Sequence, residues 1–181
     1  GRGLNTIAML DYLQGRLGHA IEAAEAALGV ARELGYVRLE CVALGTLGLA
    51  LSEAGKLPEA LGANTAALAI ARQLGLKSYE GQFLGQQGLV HALRGDFTDA
   101  RTCLDAGVLM LREAGDGLSL AVILCRVAEC EWLAGQPLAA ESALQEASRL
   151  ALQAGAGPES EVGVALARAG QRLRRAIANL S

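Results

Sequence analysis

The sequence predicts an all-α fold in which four helix pairs stack side by side and a last helix caps the stack. Three observations predict it. Glycines recur at Gly15, Gly55, Gly95 and Gly135, and a second series falls at Gly35, Gly75, Gly115 and Gly155, so the chain repeats every 40 residues. Alanines follow the first series at Ala20, Ala60, Ala100 and Ala140, and Leu4, Leu44, Leu84 and Leu124 keep the same beat. Composition agrees: 52% of the residues are hydrophobic but only 3% are aromatic, a mix that suits close-packed helices and argues against a β-sandwich. A fixed period of this size marks stacked helical units rather than one globular core.

The second unit, residues 37–76, justifies the elements. Leu39, Val42, Ala43, Leu47, Ala50 and Ala54 recur at three- and four-residue steps, which predicts a helix. Gly55 ends it, because glycine enters the left-handed conformation that closes a helix without steric penalty. Pro58 opens the next helix, where its missing N–H is harmless. Ala60, Ala63, Ala67, Ile70 and Ala71 carry that helix to Gly75. The same reading gives helix pairs at about 3–14 and 17–34, 37–54 and 57–74, 77–94 and 97–114, and 117–134 and 137–153, within an error of ~2–4 residues. The whole chain, 1–181, reads as one repeat domain with units at about 1–36, 37–76, 77–116 and 117–156. Ala8, Gly48, Gly88 and Ala128 place small residues where the two helices of a pair must approach. A capping helix follows at about 159–179. Its arginines, Arg168, Arg172, Arg174 and Arg175, are read as the solvated outer face of a cap, with a basic patch for an acidic partner as the alternative.

Bulk properties exclude several classes. Net charge is −3, without the positive field that nucleic-acid binding requires, so no nucleic-acid partner is expected. The basic residues are fourteen Arg and two Lys, Lys56 and Lys77, a bias read as the coding of a GC-rich, bacterial genome. The apolar run from Leu118 to Cys125 is interrupted at Arg126, too soon to cross a bilayer, and no membrane partner is expected. Cys41, Cys103, Cys125 and Cys130 lack C-x-x-C spacing and read as buried free thiols of a reducing cytoplasm. There is no phosphate loop, nucleophile elbow or H-E-x-x-H, and the aspartates are scattered. No enzyme, cofactor, metal site or catalytic residue is therefore expected.

The string L-G-x-x-x-x-x-x-G-x-x-x-x-A, seen from Leu47-Gly48 through Gly55 to Ala60, resembles the tetratricopeptide repeat. The common form of that repeat has 34 residues and a proline after its second helix. Here the period is longer, and Arg32, Arg72 and Arg112 stand near the place of the proline. Longer repeats of this kind are similar to those of the Leu-Gly-Asn scaffold class and of kinesin light chains. HEAT and armadillo repeats, of similar period, lack the Gly–Ala–Gly pattern. The resemblance implies a right-handed α-α superhelix whose first helices line a concave face and bind a protein or peptide. The stretches Leu124–Glu129 and Ala154–Arg168 resemble the C-terminus of large bacterial signalling proteins that carry a serine/threonine kinase, a nucleotide cyclase or a predicted ATPase. The chain starts at Gly1 without a Met, which fits that alternative, a regulatory or sensor segment of a multidomain protein.

By that resemblance the concave face receives Asn5, Met9 and Tyr12 from the first unit, and Thr46, Leu49 and Ser52 from the second. The third contributes Gln82, Gln86 and Leu89, and the fourth Arg126, Glu129 and Trp132. The Lys, Arg and Asn clamp of chaperone-binding members is absent, since those positions hold Asn5, Met9, Gly45, Leu49, Gly85 and Leu89. Trp132 is either a binding hot spot or a residue packed under the last helix. Leu49 and Leu89 make either a strip for a peptide or a plain groove floor. Arg126 and Glu129, three apart on one helix, either face a partner or pair with each other. The first pair has no cap of its own, which suggests a homodimer through the N-terminal end.

Overall fold

The computed structural model describes residues 1–178, with side chains as far as residue 173. The helices are α1 (Arg2–Leu13), α2 (Leu17–Glu33), α3 (Val37–Glu53), α4 (Leu57–Gln73), α5 (Lys77–Arg94), α6 (Phe97–Glu113), α7 (Gly117–Leu133), α8 (Pro137–Gln153) and α9 (Glu161–Ala178). No strand occurs among the described residues. The helices therefore fall where the glycine spacing predicts. The expected end of the cap, Asn179, lies outside the described residues.

The turns explain the period. Gly15, Gly35, Gly55, Gly75, Gly95, Gly115, Gly135 and Gly155 all have positive φ, between 64° and 84°. Each glycine N–H bonds the carbonyl three residues back, and the following N–H bonds the carbonyl five back, as in Gly55 to Ser52 (3.1 Å) and Lys56 to Leu51 (2.9 Å). This double closure satisfies carbonyls that the helix leaves orphaned, and it demands a residue without a Cβ at its left-handed position. Pro58 and Pro137 then sit in the first turn of α4 and α8.

Small residues set the contact within each pair. Ala20, Ala60, Ala100 and Ala140 are fully buried. Gly48 and Gly88 are contact points as expected: a Cβ on Gly88 would meet Leu104 Cγ at 2.6 Å and the Ala100 carbonyl at 3.0 Å. The pairs stack through their first helices. α1 packs on α3, α3 on α5, α5 on α7 and α7 on α9, whereas no comparable packing joins α2, α4, α6 and α8 to one another. The crowded side of the stack is therefore the odd-numbered side.

Size complementarity drives that stacking. Phe83 of α5 lies over Gly45 of α3, where a Cβ would fall 2.3 Å from its ring, and Ile123 of α7 lies over Gly85 of α5 in the same way, at 2.7 Å. Gly45 and Gly85 thus serve repeat-to-repeat packing and are not open groove positions. Arg32 and Arg72 reach Glu40 (2.8 Å) and Glu80 (2.9 Å) on the next helix. The arginine in place of the usual proline is therefore a tie between successive pairs. Position 120 is Leu, so Arg112 instead reaches Glu146 of α8 (3.0 Å).

The two ends differ. α1 has 12 residues against 17 in α3, and beside it lies a cleft of about 920 Å³ lined by Asn5, Tyr36, Leu39 and Val42. On its outer side Leu10 is 51% exposed, whereas its counterparts Ala50, Val90 and Cys130 are fully buried. At the other end α9 covers α7 and α8 through Val162, Ala169 and Leu166.

Candidate interaction surface

The expected residues lie on the odd-numbered helices, at different depths. On α1, Met9 and Tyr12 are half-buried, and Asn5 has a buried Oδ1 with no hydrogen-bond partner beside the end cleft. On α3, Thr46 and Leu49 are buried; the Thr46 hydroxyl donates to the Val42 carbonyl (3.2 Å), which removes it from recognition, while Ser52 is half-buried. On α5, Gln82 donates from Nε2 to Ser119 Oγ (2.9 Å), Gln86 is buried with Oε1 unpartnered, and Leu89 is half-buried. Gln86 and Leu89 lie one turn apart on α5.

Arg126 and Glu129 of α7 are both buried, and neither pairs with the other. The Arg126 guanidinium donates to the Gln82 carbonyl at 3.5 Å. Glu129 accepts from Arg172 of α9. Burial pushes the Glu129 carboxyl above its ordinary value, and Arg172 opposes that push. Trp132 stands apart from this group. It packs against the cluster of Ala128, Ala140 and Ala143, on which Val127, Leu144 and Leu173 of α9 also pack.

Arg168 and Arg172 of α9 do not lie on a solvated outer face. Arg172 also reaches Glu53 of α3 (2.8 Å), 119 residues away in sequence. Arg168 lies 4.5 Å over the Tyr12 ring and donates to the Tyr12 carbonyl (2.7 Å). One helix thus spans this wall of odd-numbered helices from the fourth unit back to the first. Burial raises the Tyr12 hydroxyl pKa, with Arg168 opposing, and Arg126, Glu53 and Glu161 also act on it, so these charges share one neighbourhood. Arg174 and Arg175 carry no described side chains.

Sequence reasoning missed Glu53, Arg168 and Arg172 as parts of this wall. A signal for Glu53 exists: Leu13, Leu93 and Leu133 hold the equivalent position in the other units, so Glu53 is the one charged member of its column. For the arginines the signal is their spacing of one turn on α9.

Among the described residues no cluster of His, Cys, Asp and Glu could hold a metal ion, and no helix is long and apolar enough to cross a membrane. Cys41, Cys125 and Cys130 are buried, while Cys103 is only half-buried, short of the burial expected for it. Burial pushes the Cys41 thiol to about 11 and the Cys125 thiol to about 12, far from a reactive thiolate at neutral pH.

No curated protein matches the chain in sequence. Residues 79–153, nearly all of α5 to α8, match the family model described as tetratricopeptide repeat. Repeats of that family generally mediate protein–protein interaction and are typically non-catalytic. The matched segment is thus similar to tetratricopeptide repeats, and the paired stacking of the helices is consistent with a solenoid of that kind.

Proposed function

We propose that the chain is a non-catalytic interaction module that binds a protein or peptide along the wall formed by α1, α3, α5 and α7. The observation that carries this reading is the wall's half-buried side chains. Met9, Ser52, Gln82 and Leu89 offer both apolar contact and hydrogen bonds, and Gln86 Oε1 is left without a partner. A peptide laid along the wall meets such groups at each repeat.

Peptide selection from a random display library on the intact chain tests the reading. Selected peptides are expected to lose about tenfold in affinity on Leu89→Ala, the scale of a central apolar contact. Peptides that ignore Leu89→Ala but are lost on Leu138→Asp, on the exposed side of α8, would refute it.

A second reading is self-association through the first pair, favoured by the half-exposed Ile7 and Leu10 of α1. Sedimentation is expected to give a concentration-dependent dimer that Ile7→Glu abolishes. A monomer at every concentration would end that reading.

A further inference from the structure

We propose that the wall selects a helix bearing arginines one turn apart, and that α9 is its resident ligand, which a partner helix of the same chemistry displaces. This rests on the interaction-module reading and adds the chemistry of the partner. The complementarity is visible in the ion pairs. Arg172 forks between two carboxylates on different repeats, with one nitrogen on Glu129 of α7 and the other on Glu53 of α3. A guanidinium can bridge two carboxylates in this way, whereas an ammonium is a single point of charge. One turn earlier, Arg168 stacks on Tyr12 and donates to its carbonyl at the end of α1. The wall thus offers two adjacent guanidinium seats, one flanked by carboxylates and one by an aromatic face and a carbonyl.

The seats are not needed for the repeat itself. Glu53 replaces a leucine of the other units, and Glu129 is buried with only 8% of its surface exposed. A buried carboxylate left without a cation is strongly unfavourable. Whatever displaces α9 must therefore bring positive charge to Glu129, and this selects an arginine helix over a neutral or acidic one. The attachment of α9 also allows exchange. Residues 154–160 separate it from α8, whereas two or three residues join the other successive helices. Its departure would uncover Ala121, Val122 and Leu124, which Val162, Leu166 and Ala169 cover, so a displacing helix must bring apolar residues as well as its arginines.

A fluorescent peptide of residues 159–178, titrated against the intact chain, tests the proposal. The wild-type chain is expected to bind it weakly, because its own α9 holds the seats. The Arg168→Ala, Arg172→Ala chain is expected to bind it at least about tenfold more tightly, since truncating a buried charge pair on the resident helix frees the seats. Peptide with both arginines changed to Ala is expected to lose that gain, and so is native peptide on the same chain carrying Glu53→Gln. Circular dichroism checks that each variant keeps its helices. If the double variant shows no gain, or if the arginine-free peptide binds as well as the native one, the proposal is overturned. If library peptides still depend on Leu89 in that event, the interaction-module reading survives. If no peptide binds, both fall.

Discussion

At Gly88 a methyl group would press on Leu104 and on a backbone carbonyl, whereas at Gly29, on the exposed face of α2, it would meet nothing within 4 Å. The same substitution should therefore change stability in opposite directions. Gly29→Ala removes a flexible residue from a helix interior and is expected to raise stability by about 0.5–1 kcal/mol. Gly88→Ala gains the same propensity but overpacks a closed contact, and a net loss of about 1–2 kcal/mol is expected. Urea unfolding midpoints of the two variants check both signs. Asn64 is a third case. It is fully buried over Gly48, and neither its Oδ1 nor its Nδ2 has a hydrogen-bond partner. Its counterpart in the next unit is Leu104, which sits over Gly88. Asn64→Leu is expected to stabilise the chain by about 1–3 kcal/mol, the penalty of an unsatisfied buried group, in the same unfolding measurement. A decrease would mean that the amide has a role the packing does not reveal. The sequence made Gly48 and Gly88 legible as contacts, because each stands in a column with alanines. It did not reveal that Asn64 is unsatisfied, since that depends on what the neighbouring helix presents.

Helices are tied across repeats by ion pairs whose pH behaviour differs in sign. Hydrogen bonds from Arg101 of α6 hold the Glu131 carboxyl of α7 below the ordinary carboxylate range. A carboxyl with a lowered folded-state pKa stabilises the fold above its unfolded value, ~4.3, and loses that contribution as pH falls through the folded value. Glu131→Gln is therefore expected to lower the urea midpoint slightly at neutral pH and to have no effect in strong acid. A difference that persists at low pH would assign the effect to something other than charge. Glu129 is the opposite case. Burial raises it and Arg172 holds it back, so it disfavours the fold increasingly as pH rises through its folded value. Arg172→Ala is expected to move the Glu129 carboxyl titration further upward, read by carbon NMR. No movement would show that the α9 ion pair does not form in solution. At this scale the helices themselves were legible almost to the residue, because the left-handed turn has a glycine signature. The direction of the α9 arginines was not legible. Their partners lie 43, 119 and 156 residues away, and local periodicity carries no information about contacts of that span.

Over the whole molecule, the proposed function rests on which side of the stack is crowded. The first helices touch their successors and the second helices do not, so the odd side closes into a wall that α9 spans from the fourth unit to the first. The stacking was legible in the sequence from its period and its small-residue columns. The wall was legible only through the likeness to a repeat family, and the depth of its members was not: Thr46 and Leu49 are sunk into the packing, while Met9, Ser52 and Leu89 remain within reach. Site-specific photo-crosslinking in living cells addresses that wall most directly. A photoreactive residue at Ser52 or Leu89 is expected to yield discrete adducts with another protein, and the same residue at Leu138 or Leu152 on the opposite side is expected to yield none. Adducts from the outer positions alone would contradict the account.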